Sequence, residues 1–287
     1  MAAGSVQFFM LALNRHEQGG GKMDGWFFWV MALAASMLVG MGKGGMPVVG
    51  MLGVPVLALA ISPVTAAGLL LPVYVLSDLF GLYAYRQAFD RRVLAILVPG
   101  VTIGVGLGWA TARVTPEWLV TALVGAIGTV FALRLLAGAR SAVAAEARVD
   151  RGLFWGAVTG FTSFVSHSGA PPFQIYVLPL RLPKMIYAGT NTILFAYLNA
   201  IKLVPYWALG QFSAQNLKVA AVLMPAAAGA VFLGVRLVRV LPEVLFFRLV
   251  TGALLFVSVK LLVDGVWAGL RGRAGALPRT PGVLEPR

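Results

Sequence analysis

Four ionisable side chains stand within or beside long apolar runs of the sequence: Lys43, Asp78, His167 and Lys202. A charge in hydrocarbon is expensive, so such residues point to a ligand, a proton path or a partner of opposite charge. Lys43 lies in Gly40-Met41-Gly42-Lys43-Gly44-Gly45, where glycines let the backbone bend and approach a ligand closely. An ammonium beside freed N–H groups of Gly44 and Gly45, at the start of a half-helix, suits an anion. The stretch is not a phosphate-binding P-loop, because the spacing and the terminal Ser or Thr are absent. His167 lies in Ser166-His167-Ser168-Gly169-Ala170-Pro171-Pro172. Its imidazole, with Ser168 and the backbone of Gly169, suits an oxyanion and can also pass a proton. Asp78 is the one acidic residue deep in an apolar run, and is either a proton carrier or the counter-charge of Lys43 or Lys202. Lys202 follows Asn199 by three positions, on one helical face. Thr190, Asn191 and Thr192 offer further hydrogen bonds. The plainer reading is a Gly-rich helix contact with a snorkelling lysine and a packed histidine. No nucleophile–base–acid set is visible, and the pair of His167 with Asp78 is too sparse for a metal. With no cysteine and two histidines, neither catalysis nor a resident cofactor or metal is expected.

The elements that position these residues must be membrane helices. Of 287 residues, 59% are hydrophobic and 11% charged, against roughly 25% charged in soluble domains. Mean hydropathy is +0.86. Those figures exclude a soluble enzyme and a disordered chain, and unbroken apolar runs exclude a membrane β-barrel. The reading is an all-α integral membrane protein. Apolar segments fall at 26–42, 47–61, 64–85, 93–113, 117–137, 152–168, 172–181, 185–207, 217–237 and 243–267. Those at 47–61 and 172–181 are too short for a straight crossing. Both follow Gly- or Pro-rich stretches.

The chain also repeats itself. Gly44-Gly45-Met46-Pro47 matches Ser168-Gly169-Ala170-Pro171, which sets Lys43 against His167. Further on, Asp78 matches Asn199, Pro99 matches Pro225, and Pro116-Glu117 matches Pro242-Glu243. The expected organisation is an N-terminal extension (1–25), a first membrane repeat (26–138), a charged linker (139–151), a second repeat (152–267) and a polar tail (268–287). Duplicated halves with interrupted short segments are the pattern of secondary transporters. There are 23 Lys and Arg against ten Asp and Glu, a net charge of +13. The basic residues cluster in short loops and the tail, as cytoplasmic loops require, and call for no nucleic acid. Arg86, Arg91 and Arg92, then Arg140, Arg148 and Arg151, and then the tail arginines up to Arg287 all lie inside if each short segment fails to cross. That gives eight crossing helices plus two short re-entrant or broken segments. The alternative is ten crossings with inverted halves and an outer tail.

Gly42-Lys43-Gly44-Gly45, Pro55-Val56-Leu57, Pro63, Ala66-Ala67-Gly68, Asp78 and Tyr85 resemble the first half of the sulfite exporter TauE/SafE family. His167-Ser168-Gly169-Ala170-Pro171-Pro172, Tyr176, Pro179, Gly189-Thr190, Asn199 and Lys202-Leu203 are similar to its second half. Lys43 interrupts the first of the family's glycine runs, and Ser-His-Ser-Gly-Ala replaces the second. The resemblance implies a bacterial inner-membrane permease for small anions such as sulfite, sulfonates or sulfoacetate, mostly exported. In that reading Lys43, Gly44, Gly45, His167, Ser168, Gly169, Thr190, Asn199 and Lys202 bind substrate, and Asp78 and His167 couple a proton. The expected partners are a small anionic substrate and the lipid bilayer, with homo-oligomerisation left open. An anion channel and a non-transporting scaffold subunit are the alternatives. The polar, Gly-rich stretch before Met23-Asp24-Gly25-Trp26 lacks the basic start of a signal peptide and makes Met23 a candidate initiator. Deletion of residues 1–22 is expected to leave expression and transport unchanged, and collapse of membrane insertion would refute this.

Overall fold

The computed structural model describes residues 25–57, 59–61, 63–111, 114–137, 144–166, 168–208 and 214–275; His167 falls outside them. Among the described residues there is no strand. The helices are α1 (Trp26–Lys43), α2 (Pro47–Met51), α3 (Gly53–Leu57), α4 (Pro63–Tyr85), α5 (Arg91–Thr111) and α6 (Glu117–Leu136). They continue as α7 (Val149–Ser166), α8 (Ala170–Val177), α9 (Lys184–Ala208), α10 (Ala214–Val240) and α11 (Glu243–Gly275). Each apolar segment of the sequence is mainly helical in its described part, with turns at Leu52 and 59–61 breaking the first short one. Six of the helices (α1, α4, α5, α6, α10 and α11) are long and apolar enough to cross a bilayer. Their outer faces stay apolar: Ile127, Val130 and Leu133 of α6 and Phe256, Val263 and Trp267 of α11 are all exposed. Exposed apolar surface on this scale matches hydrocarbon rather than water.

Chain direction follows from which residues touch. Gly125 of α6 lies against Leu262 of α11, and Gly265 of α11 against Ala122. Numbers fall on one helix as they rise on the other, so α6 and α11 are antiparallel. Gly81 of α4 faces Thr192 of α9, while Tyr85 approaches Gly189, so α4 and α9 are antiparallel too. By contrast α5 and α7 run parallel, with Gly100 against Leu153 and Gly104 against Ala157. Gly40 of α1 meets Ala227 and Ala230 of α10, and Gly44 meets Val231 and Gly234, again in parallel. Small residues four apart line these seams and let the backbones close, which is how helices associate without a hydrophobic drive between them.

The two short segments fold back along the helices before them. Gly50 of α2 packs on Gly42 of α1, and Gly53 of α3 on Val39 and Ala35. Ile61 then joins Phe28, Ala32 and Ala66 in one core cluster. In the same way Gly169 lies against Ser163 and Thr159 at the end of α7, while Tyr176, further along α8, reaches Gly152 near its start. The chain therefore leaves each hairpin at the end where it entered. At the first tip Gly45 has φ 104°, and N–H groups of Gly45 and Met46 donate to the carbonyls of Gly42 and Met41. This is a Schellman closure, and its left-handed position suits glycine. At the second tip Pro171 and Pro172 open α8, where a missing N–H costs nothing.

Four hydrogen bonds gather loops and helix ends at one end of the molecule. The Asp90 N–H donates to Thr190 Oγ1 at 2.9 Å, and the Ala145 N–H to the Pro179 carbonyl at 3.0 Å. The Lys184 ammonium donates to the Arg239 carbonyl at 2.8 Å and also to that of Leu241. Arg86, Arg91, Arg92, Arg148, Arg151 and Arg181 belong to these same stretches.

Candidate functional site

Lys43 ends α1 just before the Schellman turn, so it enters the interior rather than a loop. Its ammonium lies 2.6 Å from Asp78 Oδ1 of α4. That oxygen meets no partner besides this ammonium, and Asp78 Oδ2 accepts from the Asn199 amide nitrogen of α9 at 2.8 Å. All three residues are buried, at 6%, 4% and 9% exposure. The Tyr74 ring, one turn before Asp78, stands 5.3 Å from the ammonium, and its hydroxyl donates to the Gly50 carbonyl at 3.0 Å. Thr192 Oγ1 donates to the Lys43 carbonyl at 3.1 Å. Gly81 is required for this approach: a methyl there would stand 2.7 Å from Thr192 Cγ2 and 3.0 Å from the Lys43 carbonyl.

Lys202, one turn beyond Asn199 on α9, is 2% exposed. Its ammonium donates to the carbonyl and to the hydroxyl of Ser163 on α7, both at 2.7 Å. Among the described residues no carboxylate forms an ion pair with it. Gly169 packs on the same Ser163, where an added Cβ would fall 2.7 Å from the Ser163 Cβ. Buried Ser168 donates its N–H to the Thr162 carbonyl at 3.2 Å. The second interrupted loop thus reaches Lys202, while the first carries Lys43.

Most of the residues singled out from the sequence come together, with particular differences. Lys43, Asp78 and Asn199 form one chain of contacts. Lys202 and Gly169 meet at Ser163, and Asn199 and Lys202 join the two groups along α9. Thr190 is engaged elsewhere, accepting from the Asp90 N–H, and its neighbour Thr192 takes the place at Lys43. The N–H groups of Gly44 and Gly45 are not free: they close the end of α1 on the Gly40 and Gly42 carbonyls. The Gly44 carbonyl accepts from the Tyr85 hydroxyl at 2.6 Å. Positive charge here therefore comes from side chains rather than from these amides. Ser163 and Tyr74 are absent from the sequence reading. Each stands four positions before a residue that reading singled out (His167 and Asp78), so helical spacing was the available signal. Among the described residues no group of His, Asp and Glu could hold a metal ion.

The family model of the sulfite exporter TauE/SafE family matches residues 26–261. The chain belongs to that family. This TauE/SafE protein is accordingly a multi-pass membrane protein of a transporter family, one that points to sulfur anions as cargo. No curated protein and no solved structure matches the chain.

Removing one partner of a buried ion pair leaves an uncompensated charge and costs about 3–5 kcal/mol. Lys43→Met is expected to lower thermal stability in detergent by about that much. Adding Asp78→Asn should restore most of the loss, since the orphaned carboxylate is then gone. Parental melting of Lys43→Met alone would show that the pair does not form.

Proposed function

We propose that this chain is a secondary carrier of a small sulfur oxyanion, such as sulfite, a sulfonate or sulfoacetate, exported across a bacterial inner membrane. One observation carries the reading: of two buried ammonium groups, Lys43 is paired with the Asp78 carboxylate, and Lys202 has no carboxylate partner among the described residues. Buried charges need compensation. Lys202 is held by a hydroxyl and a carbonyl alone, so an anion supplies the missing counter-charge. The ligand would sit between the two interrupted loops, against Lys43 and Lys202, with His167, Ser168 and the Asn199 amide contributing hydrogen bonds. Protonation of Asp78 would loosen Lys43, and this is a direct route to proton coupling. A channel needs a continuous wet pore, whereas an enclosed ion pair beside a buried ammonium that lacks a counter-charge suits binding and release in turn.

The helix pairings support two inverted halves, 26–138 and 152–267. Exchanging the halves turns the α1–α10 pairing into α7–α5, and returns α4–α9 and α6–α11 to themselves. The self-paired helices are antiparallel, as a pseudo-twofold axis in the membrane plane requires. Asp78 and Asn199 occupy matching positions, so their hydrogen bond lies on that axis. Hairpins that return to their face of entry favour the inverted alternative over eight crossings with parallel halves. The arginine-rich loops then lie together on the cytoplasmic side.

Two measurements test this. Sulfite should raise the melting temperature of the purified protein, by about 2.7 kcal/mol of stabilisation at a hundred times its dissociation constant. Indifference to sulfite, sulfonates and carboxylates alike would leave a scaffold role. A reporter at Arg287 should read on the face opposite to one in the 86–92 loop. The same face for both would restore the parallel arrangement.

A further inference from the structure

Gln174, in the middle of α8, is fully enclosed, yet neither its amide nitrogen nor its carbonyl oxygen meets a hydrogen-bond partner among the described residues. The same is true of Ser258 Oγ on α11 and of Asn191 Oδ1 and the Tyr187 hydroxyl on α9. Buried polar groups are nearly always bonded, because an orphan bears its full desolvation cost. Here the orphans lie on α8 and on two helices, α9 and α11, that carry residues close to neighbours of Gln174. Pro171 of α8 and Ser258 of α11 flank the same point, the open side of Gly128 on α6. Gln174 follows Pro171 by three positions, on the same face of α8. Its neighbour Phe173 packs on α9, 5.7 Å from the Phe195 ring and 6.2 Å from that of Tyr187. Asn191 lies one turn from each of those two residues and shares their face. Gln174 is therefore flanked along α8 by Phe173, which meets the α9 face that carries Asn191, and by Pro171, which meets the α6–α11 seam that carries Ser258.

We infer that Gln174, with Asn191 and Ser258, forms a second, uncharged binding station for the transported oxyanion. The inference rests on the carrier reading and extends it to groups outside the Lys43–Asp78 cluster. These side chains offer N–H and O–H donors and two amide carbonyls, and no charge. Neutral donors hold an anion less tightly than an ammonium does. A ligand released by the lysines can therefore pause here without being trapped. The amide carbonyls would accept from the O–H of a singly protonated oxyanion such as hydrogen sulfite. Asn191 lies about two turns from Asn199 along α9, so one helix joins the two stations.

The test uses full-length protein in lipid nanodiscs, titrated with sodium sulfite, with melting temperature recorded for each variant. Gln174→Leu removes the orphan amide at similar size, so it should melt at or above the parental temperature. Each substitution is also placed on the stabilised Lys43→Met/Asp78→Asn background, where the tighter lysine site no longer sets the affinity. There Gln174→Leu should weaken the remaining sulfite binding about tenfold, the loss of one hydrogen bond to a charged ligand. Gln174→Glu should bind more weakly still, because the added carboxylate repels the anion. If Gln174→Leu does not accumulate, Ser258→Ala and Asn191→Leu decide on the same titration. Unchanged affinity on that background with Gln174→Leu, or with both replacements, overturns the station and leaves ordered water as the partner of these groups. Lys43→Met/Asp78→Asn alone separates the two readings. Weakened binding there that Gln174→Leu does not weaken further sinks the station alone, and parental binding there, unmoved by Gln174→Leu, sinks the carrier reading with it.

Discussion

Hydrocarbon offers nothing to a charge, so each ammonium and carboxylate in the bundle must find its partner within the protein. The Lys43–Asp78 pair is where this constraint is tightest, and much of the fold is arranged around it. It requires the end of α1, the second half of α4 and the middle of α9 to meet at one place. That meeting needs backbone where side chains would collide, which explains Gly81 beside Lys43 and the left-handed Gly45 two positions past it. The Tyr74 ring and Thr192 fill the remaining contacts, so the pair is enclosed on several sides.

Such pairs are poor devices for stability, since desolvation offsets much of the attraction. Their use lies in being incomplete. Two buried lysines stand against one buried aspartate among the described residues, beside the two loops that break the helices.

The seams between helices set how closely the bundle packs. The α5–α7 and α1–α10 contacts are backbone against backbone across small residues, and α6 and α11 meet the same way at Gly125, Gly128 and Gly265. Larger side chains are concentrated elsewhere. Phe173, Tyr187, Phe246 and Phe247 form an aromatic block between α8, α9 and α11. On the same helices lie buried polar groups that meet no hydrogen-bond partner among the described residues.

The helical segments, the membrane environment and the identity of Lys43, Asp78, Asn199 and Lys202 as residues of interest were all legible in the sequence. The reason is local: a charge inside an apolar run is visible without knowing what it touches, and length and hydropathy suffice to define a membrane helix. The pairing of Lys43 with Asp78 rather than Lys202 with Asp78, and the place of Ser163 as the holder of Lys202, depend on helices distant in the chain. Thr190 and Thr192 differ by only two positions, yet helical rotation sends one to Asp90 and the other to Lys43. The amides of Gly44 and Gly45 looked free because a Gly-rich break says where a helix ends, not whether a Schellman turn has already used its N–H groups. Direction was hidden for a similar reason. Loop charges count only toward the face where a loop lies, and whether a short apolar segment returns along its predecessor is decided by Gly42 against Gly50 and Gly152 against Tyr176, contacts that exist only in the folded chain.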